Sequence, residues 1–110
     1  MNPSRMIGLS FVIVGWGAAA HAEVPGQDLY LVNCRLCHGT NGTAGMPLAG
    51  NASLEDGAYV ARTIIEGRGY MTPFGEHLTD EEIAAVATFV RTEWGNDFGA
   101  VDAAVVASAR

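Results

Sequence analysis

Lysine is absent from this 110-residue chain: its six basic residues are all arginine, set against twelve acidic ones, for a formal net charge of −6. A chain of that sign offers no basic surface to phosphate, which excludes nucleic acid and an anionic membrane face as partners. Cysteine is scarce at two residues, so a disulfide-rich scaffold is excluded. Only 16% of residues are charged and 49% are apolar, a balance that excludes disorder. Beyond the N-terminus no apolar run approaches the length of about 20 residues that a spanning helix needs. Proline is modest at 4 and glycine frequent at 14, which predicts ordered loops between short elements of a single domain.

The N-terminus reads as a targeting segment. Met1–Arg5 carries one positive charge, Met6–Trp16 is apolar apart from Ser10 and its glycines, and Ala20-His21-Ala22 has the A-x-A form that a signal peptidase cuts after. We expect residues 1–22 to be a cleaved secretory signal peptide and 23–110 to be the working domain, with no membrane anchor after cleavage. Loss of Arg5 takes the charge to about −7, and the single arginine ahead of the apolar core argues against a twin-arginine route. About 88 residues form a thin core, and a scaffold of that size needs a staple: disulfides, a metal or a large buried cofactor.

The two cysteines indicate which. Asn33-Cys34-Arg35-Leu36-Cys37-His38-Gly39 contains C-x-x-C-H, the attachment signature of c-type haem. Two thiols three residues apart on a helical turn can each add to one vinyl group of the same porphyrin, and His38 then falls beneath the iron as its proximal ligand. A redox dithiol would need a βαβ pattern, which is missing. A zinc site would need two further ligands, and beyond the signal only His77 remains. A plain disulfide would leave His38 as an accident.

Periodicity predicts helices and no strands. Gly26–Cys37 reads as a first helix running into the motif, with Leu29, Val32 and Leu36 at helical spacing. Residues 39–52, rich in glycine, read as a loop. Ser53 or Asp56 can cap a middle helix reaching Glu66, with Val60, Ala61, Ile64 and Ile65 on one face and Gly67-Arg68-Gly69 as its stop. Tyr70–Leu78 reads as a second loop. Thr79-Asp80-Glu81-Glu82 is a capping box opening a helix with Ile83, Val86, Val90 and Trp94 as its stripe and Gly95-Asn96 as its end. Asp102 can cap a short terminal helix to Ser108.

A haem iron with one histidine has a sixth position, and the candidates are Met46, Met71 and His77. Reach does not decide, since the eight residues from His38 to Met46 extend to about 26 Å. Context favours Met71, which follows a helix end in a loop braced by Pro73 and lets a helix wrap the haem edge between the ligands. Arg68 is a candidate donor to a haem propionate, or an exposed arginine at a helix end. Trp94 is a core residue or a second propionate donor.

These residues resemble the class I cytochromes c, over essentially Gln27–Arg110. The resemblance implies an all-α fold of three main helices plus a short C-terminal helix around one haem, covalently bound through Cys34 and Cys37. It implies that Gly26 and Tyr30, eight and four positions before the first cysteine, cross an aromatic residue of the later helix, with Phe89 as counterpart. Met46-Pro47-Leu48-Ala49-Gly50-Asn51 resembles the P-L-A-G-N stretch of periplasmic dehydrogenase-associated cytochromes. There the proline carbonyl holds the Nδ1 proton of the haem histidine, a role that passes here to Pro47 and His38. Gly67-Arg68-Gly69-Tyr70-Met71-Thr72-Pro73-Phe74 is similar to the family's G-x-G-x-M-P-x-F loop, departing at Thr72, where proline usually follows the methionine. The implied function is a periplasmic one-electron carrier, not an enzyme, with His38 and Met71 as iron ligands. Its donor would be a periplasmic dehydrogenase and its acceptor an oxidase or another cytochrome, with the chain a monomer or a dehydrogenase subunit. The alternatives are a haem sensor or peroxidase-like enzyme with a vacant distal site, and a fixed subunit of a dehydrogenase complex.

Overall fold

Every regular element among the described residues is helical in the computed structural model, which describes Gly8 and residues 24–110. Apart from Gly8, the predicted signal segment lies outside the described residues. The chain runs α1 (Gly26–Asn33), a one-turn α2 (Arg35–His38), a 3-10 turn (Ala52–Glu55), α3 (Gly57–Glu66), α4 (Asp80–Thr92) and α5 (Ala103–Ala109).

Side-chain caps set three of the starts. The Asp56 carboxylate accepts from the Tyr59 amide to open α3, and Asp102 accepts from Val105 to open α5. Thr79 and Glu82 form the reciprocal capping box of α4. Ser53 is not a cap: its amide donates to Asn51, which opens the 3-10 turn instead.

The expected first helix is broken in two. Cys34 is a turn residue between the two pieces, its φ stretched to −118°, and its carbonyl takes both the Cys37 and His38 amides, at 3.3 and 3.0 Å. The buried stripe of α1 is Leu29 and Tyr30; Val32 and Leu36 are 82% and 96% exposed, against expectation. Val32 lies two residues, about 200° of rotation, from Tyr30, so it faces away from the core. The stripe of α4 keeps Ile83, Val86 and Val90, but the helix stops at Thr92 and Trp94 lies beyond it with a φ of 53°.

Packing follows from one close approach. A Cβ on Gly26 would run into the Ala85 carbonyl and stand 3.1 Å from the Phe89 Cβ, so only glycine lets α1 cross α4 here. The crossing seals with Tyr30, fully buried, 5.3 Å from Phe89 and 5.1 Å from Trp94 between ring centroids. Helix α5 lies against α3 and α4, burying Val106 and Ala109 in the core cluster that also holds Val60, Ala61 and Ile64 of α3. Arg91, on the buried face of α4, spends its guanidinium on five carbonyls: Leu54, Glu55, Phe98, Gly99 and Ala100. A buried cation with every N–H satisfied costs far less than an unpaired one, and it ties the 3-10 turn and the 98–100 segment to α4. Of the three longer loops between helices, 39–51, 67–79 and 93–102, the first two hold the candidate residues that follow the C-x-x-C-H turn.

Candidate functional site

The site begins where α1 breaks. Cys34 is half-buried and Cys37 exposed, both as free thiols one turn apart, and His38 follows directly. Burial first, and the neighbouring Cys37 second, push the Cys34 thiol up to about 11, so it is a neutral S–H at neutral pH. Among the described residues no three His, Cys, Asp or Glu side chains converge as an ion cage.

Two bonds fix the turn. The Tyr30 hydroxyl donates to the Gly39 carbonyl at 2.5 Å, joining the core of α1 to the residue after His38. His38 Nδ1 lies 3.0 Å from the Met46 carbonyl. A carbonyl can only accept, so Nδ1 is the donor and Nε2 is the nitrogen left for a ligand. The accepting carbonyl is thus Met46's and not Pro47's as expected: the Pro47 carbonyl is taken by the Asn51 side-chain amide at 2.9 Å. Pro47 acts one step removed, as the residue whose ring nitrogen completes the Met46 peptide.

The second loop carries Met71. Of the three candidate distal ligands, Met71 is half-buried and packs against the core, whereas Met46 is 75% exposed and His77 is exposed. Proline does not follow Met71, and the loop is braced otherwise. The Phe74 and Gly75 amides donate to the Ile64 and Ile65 carbonyls at the end of α3, at 2.9 and 3.1 Å. Arg110 pins the exit of the loop through the Gly75 and Leu78 carbonyls and the Asp80 carboxylate. Arg68 donates to the Tyr59 hydroxyl at 2.6 Å, with both residues beside the Met71 turn, in which the Met71 amide donates to the Arg68 carbonyl. Tyr70 is fully exposed.

Leu48, Met71, Phe74 and Leu78 pack against the core while staying half-exposed. Two free thiols, one imidazole with an available Nε2, a thioether and this incompletely covered apolar fringe are the donors and the surface that a covalently attached haem requires.

Sequence reasoning gave Arg91 no role and Asn96 only that of a helix stop; among the described residues these are the two buried polar side chains. A signal for Arg91 was present, since it continues the Ala84 and Ala87 face of α4 at i+7 and i+4. Asn96 carries no such signal, because its partners lie 46 and 48 residues away.

The sequence model of the family described as "Cytochrome C oxidase, cbb3-type, subunit III" matches residues 21–90. The "Alcohol dehydrogenase (quinone), cytochrome c subunit" of Gluconacetobacter polyoxogenes is 35% identical over 108 residues, covering 81% of this chain and 23% of its own length. The cbb3-type oxidase subunit FixP of Azorhizobium caulinodans is 34% identical over 90 residues, covering 70% of this chain and 30% of its own. Cytochrome c6 of a Picosynechococcus strain is 29% identical over 99 residues, covering 76% and 83%. The chain thus spans less than a third of the dehydrogenase and oxidase subunits it matches. Among solved structures, the c-type cytochrome KustC0563 superposes with a TM-score of 0.56 at 30% identity, covering 69% of this chain and 99% of that one.

Proposed function

We propose, from the premise that this chain belongs to the cytochrome c family of the cbb3-type oxidase subunit III description, that it is an electron carrier holding one haem c between His38 and Met71. Its donor on this reading is a periplasmic dehydrogenase and its acceptor an oxidase or another cytochrome. The observation that carries the reading is the His38 ring. Its Nδ1 faces the Met46 carbonyl, which leaves Nε2 as the ring's ligating nitrogen, and the ring directly follows the free thiols Cys34 and Cys37 in the C-x-x-C-H run.

When bound, the haem supplies reversible one-electron chemistry at iron. The residues of the chain do the rest. Cys34 and Cys37 would hold the haem covalently, and His38 and Met71 would be its iron ligands, a set suited to passing an electron rather than to bond chemistry. The thioether of Met71 raises the potential relative to a second imidazole. Leu48, Ile64, Phe74 and Leu78 exclude water and disfavour the extra positive charge of the oxidised iron. Arg68, already oriented by Tyr59, is the donor for a propionate.

The names of the alcohol dehydrogenase subunits support a dehydrogenase as donor, and that of FixP supports an oxidase as acceptor. The A-x-A segment supports the periplasm as the compartment. The same names favour a second arrangement, in which the chain is a fixed subunit of a dehydrogenase complex; co-purification of the dehydrogenase through high salt separates it from a free shuttle.

The test is covalency. Expressed in a host with a haem-ligation system, the protein should stay red after acid-acetone extraction, and the Cys34→Ala, Cys37→Ala double variant should yield colourless or unstable protein. Colour that leaves with the acetone overturns the reading.

A further inference from the structure

Asn96 is 7% exposed and its side-chain amide uses three hydrogen bonds. Nδ2 donates to the Leu48 carbonyl at 3.0 Å and to the Val90 carbonyl at 2.8 Å, and Oδ1 accepts from the Gly50 amide at 2.9 Å. Two carbonyls and one N–H admit only this orientation of the amide. Asn96 thereby joins the end of α4 to the outgoing side of the loop that follows His38.

That loop is closed upon itself. The Gly42 carbonyl accepts from both the Leu48 and Ala49 amides, at 2.8 and 3.0 Å, and the Ala44 amide returns to the His38 carbonyl at 3.0 Å. Met46 sits at its tip, two residues from each anchor, with its carbonyl on His38 Nδ1.

Delivering Asn96 to this position demands an unusual backbone. Trp94 is the non-glycine residue with positive φ among those described, at 53°, and Gly95 follows at 82°. An L-residue is sterically disfavoured there, and such geometry persists only where the surroundings over-determine it. The Trp94 ring is trapped between Tyr30, Phe89 and Gly42, where a Cβ would stand 2.6 Å from the ring, so no side chain larger than glycine's is admitted at position 42. The two left-handed residues turn the chain back after α4, let the Asn96 amide reach the Glu93 carbonyl, and aim the side chain at the loop.

From this arrangement we infer that Asn96 is a positioning residue for the proximal ligand: it clamps the 42–51 loop so that the Met46 carbonyl holds the Nδ1 proton of His38. The inference rests on the proposed haem ligation by His38. A carbonyl held firmly on Nδ1–H makes Nε2 a stronger donor. Stronger donation favours the oxidised iron, so slackening the clamp raises the midpoint potential.

The test uses the mature haem-loaded protein. Asn96→Asp keeps the size and shape but sets a carboxylate oxygen against the Leu48 and Val90 carbonyls; Asn96→Ala removes all three bonds. Both should raise the midpoint potential and speed exchange of the His38 Nδ1 proton about tenfold, the factor that loss of one net hydrogen bond supplies. Ile83→Val, a buried change elsewhere in α4, should lower stability while leaving the potential and that exchange rate at wild-type values. If the Asn96 variants lose stability in the same way and move neither readout, the residue is merely structural and the inference falls. Should neither variant mature, native-state exchange on the wild type decides. The Gly50 amide and the His38 Nδ1 proton should then open in one step with a common denaturant dependence, and independent openings overturn the inference. A low-spin spectrum unchanged in His38→Ala overturns the ligation reading along with it. A His38-ligated protein whose potential ignores Asn96 overturns this inference alone.

Discussion

Two methionine side chains near the site differ only in what surrounds them. Met71 and Met46 are the same residue, yet one packs against the core and the other stands in solvent. Met71→Ala should therefore let imidazole or cyanide bind the iron and should lower the midpoint potential, with Met46→Ala doing neither; titration by absorbance and a redox titration read both. Met46 contributes through its backbone carbonyl, which alanine retains. Tyr30 gives a pH window. Burial first, and the neighbouring Cys34 second, push its phenol up to about 12 from an ordinary value of 10. The folded state thus holds the proton more tightly than the unfolded one. The stability this confers is complete below pH 10 and is lost as pH climbs through about 12. Haem attachment would remove the Cys34 contribution and leave the burial, so the sign is kept. Urea midpoints measured from pH 9 to 12 should fall steeply in the wild type and less in Tyr30→Phe.

Among the elements, the α1–α4 crossing depends on one missing side chain. Even alanine at position 26 drives a Cβ into the Ala85 carbonyl. Overpacking at so tight a contact costs about 1–3 kcal/mol, so Gly26→Ala should lower the urea unfolding midpoint by a corresponding amount without changing the slope. Because Tyr30 rides on the same helix and bonds to Gly39, the strain reaches the Cys34–His38 turn, and on the proposed function the yield of haem-loaded protein should fall as well. The distal loop obeys the same logic from the other side. Backbone bonds to α3 and the Arg110 clamp on Gly75, Leu78 and Asp80 replace the proline that would have stiffened it.

Taken whole, the molecule is acidic and its arginines are largely engaged. Among the described residues Arg91 is buried, Arg110 pairs with Asp80 and Arg68 bonds to Tyr59, leaving Arg35 and Arg62 exposed on a chain of net charge −6. The acidic run at the start of α4 is itself partly committed, with Asp80 on Arg110 and Glu82 in the capping box. No positive docking ring can be assembled from these residues. A donor with a basic exit should show an electron-transfer rate that falls as salt rises, because charges beyond about 10 Å are screened at 0.1 M. A donor with an apolar exit should show a rate nearly independent of salt. A rate that climbs steeply with ionic strength in stopped-flow measurements would mean that like charges meet at the dock, and would remove this account.

The sequence by itself determined what is chemically local. C-x-x-C-H, the Thr79–Glu82 box, the Asp56 and Asp102 caps and the glycine-rich loops are each decided within a few residues, by side chains that have one partner in reach. The all-helical class and the Gly26–Tyr30–Phe89 crossing were legible for the same reason, through periodicity and resemblance. Tertiary structure alone decided which carbonyl receives the His38 proton, because every residue has a carbonyl and sequence does not distinguish Met46 from Pro47. It also decided that Val32 and Leu36 face solvent, since the break at Cys34 and the direction of α4 set that face. It ended α4 two residues before Trp94, where ring contacts to Tyr30, Phe89 and Gly42 outweigh the backbone cost of a left-handed tryptophan. And it made Asn96 a clamp across 46 and 48 residues of chain, because the partners of a buried amide are fixed by where the fold leaves unpaired backbone and not by its neighbours in sequence.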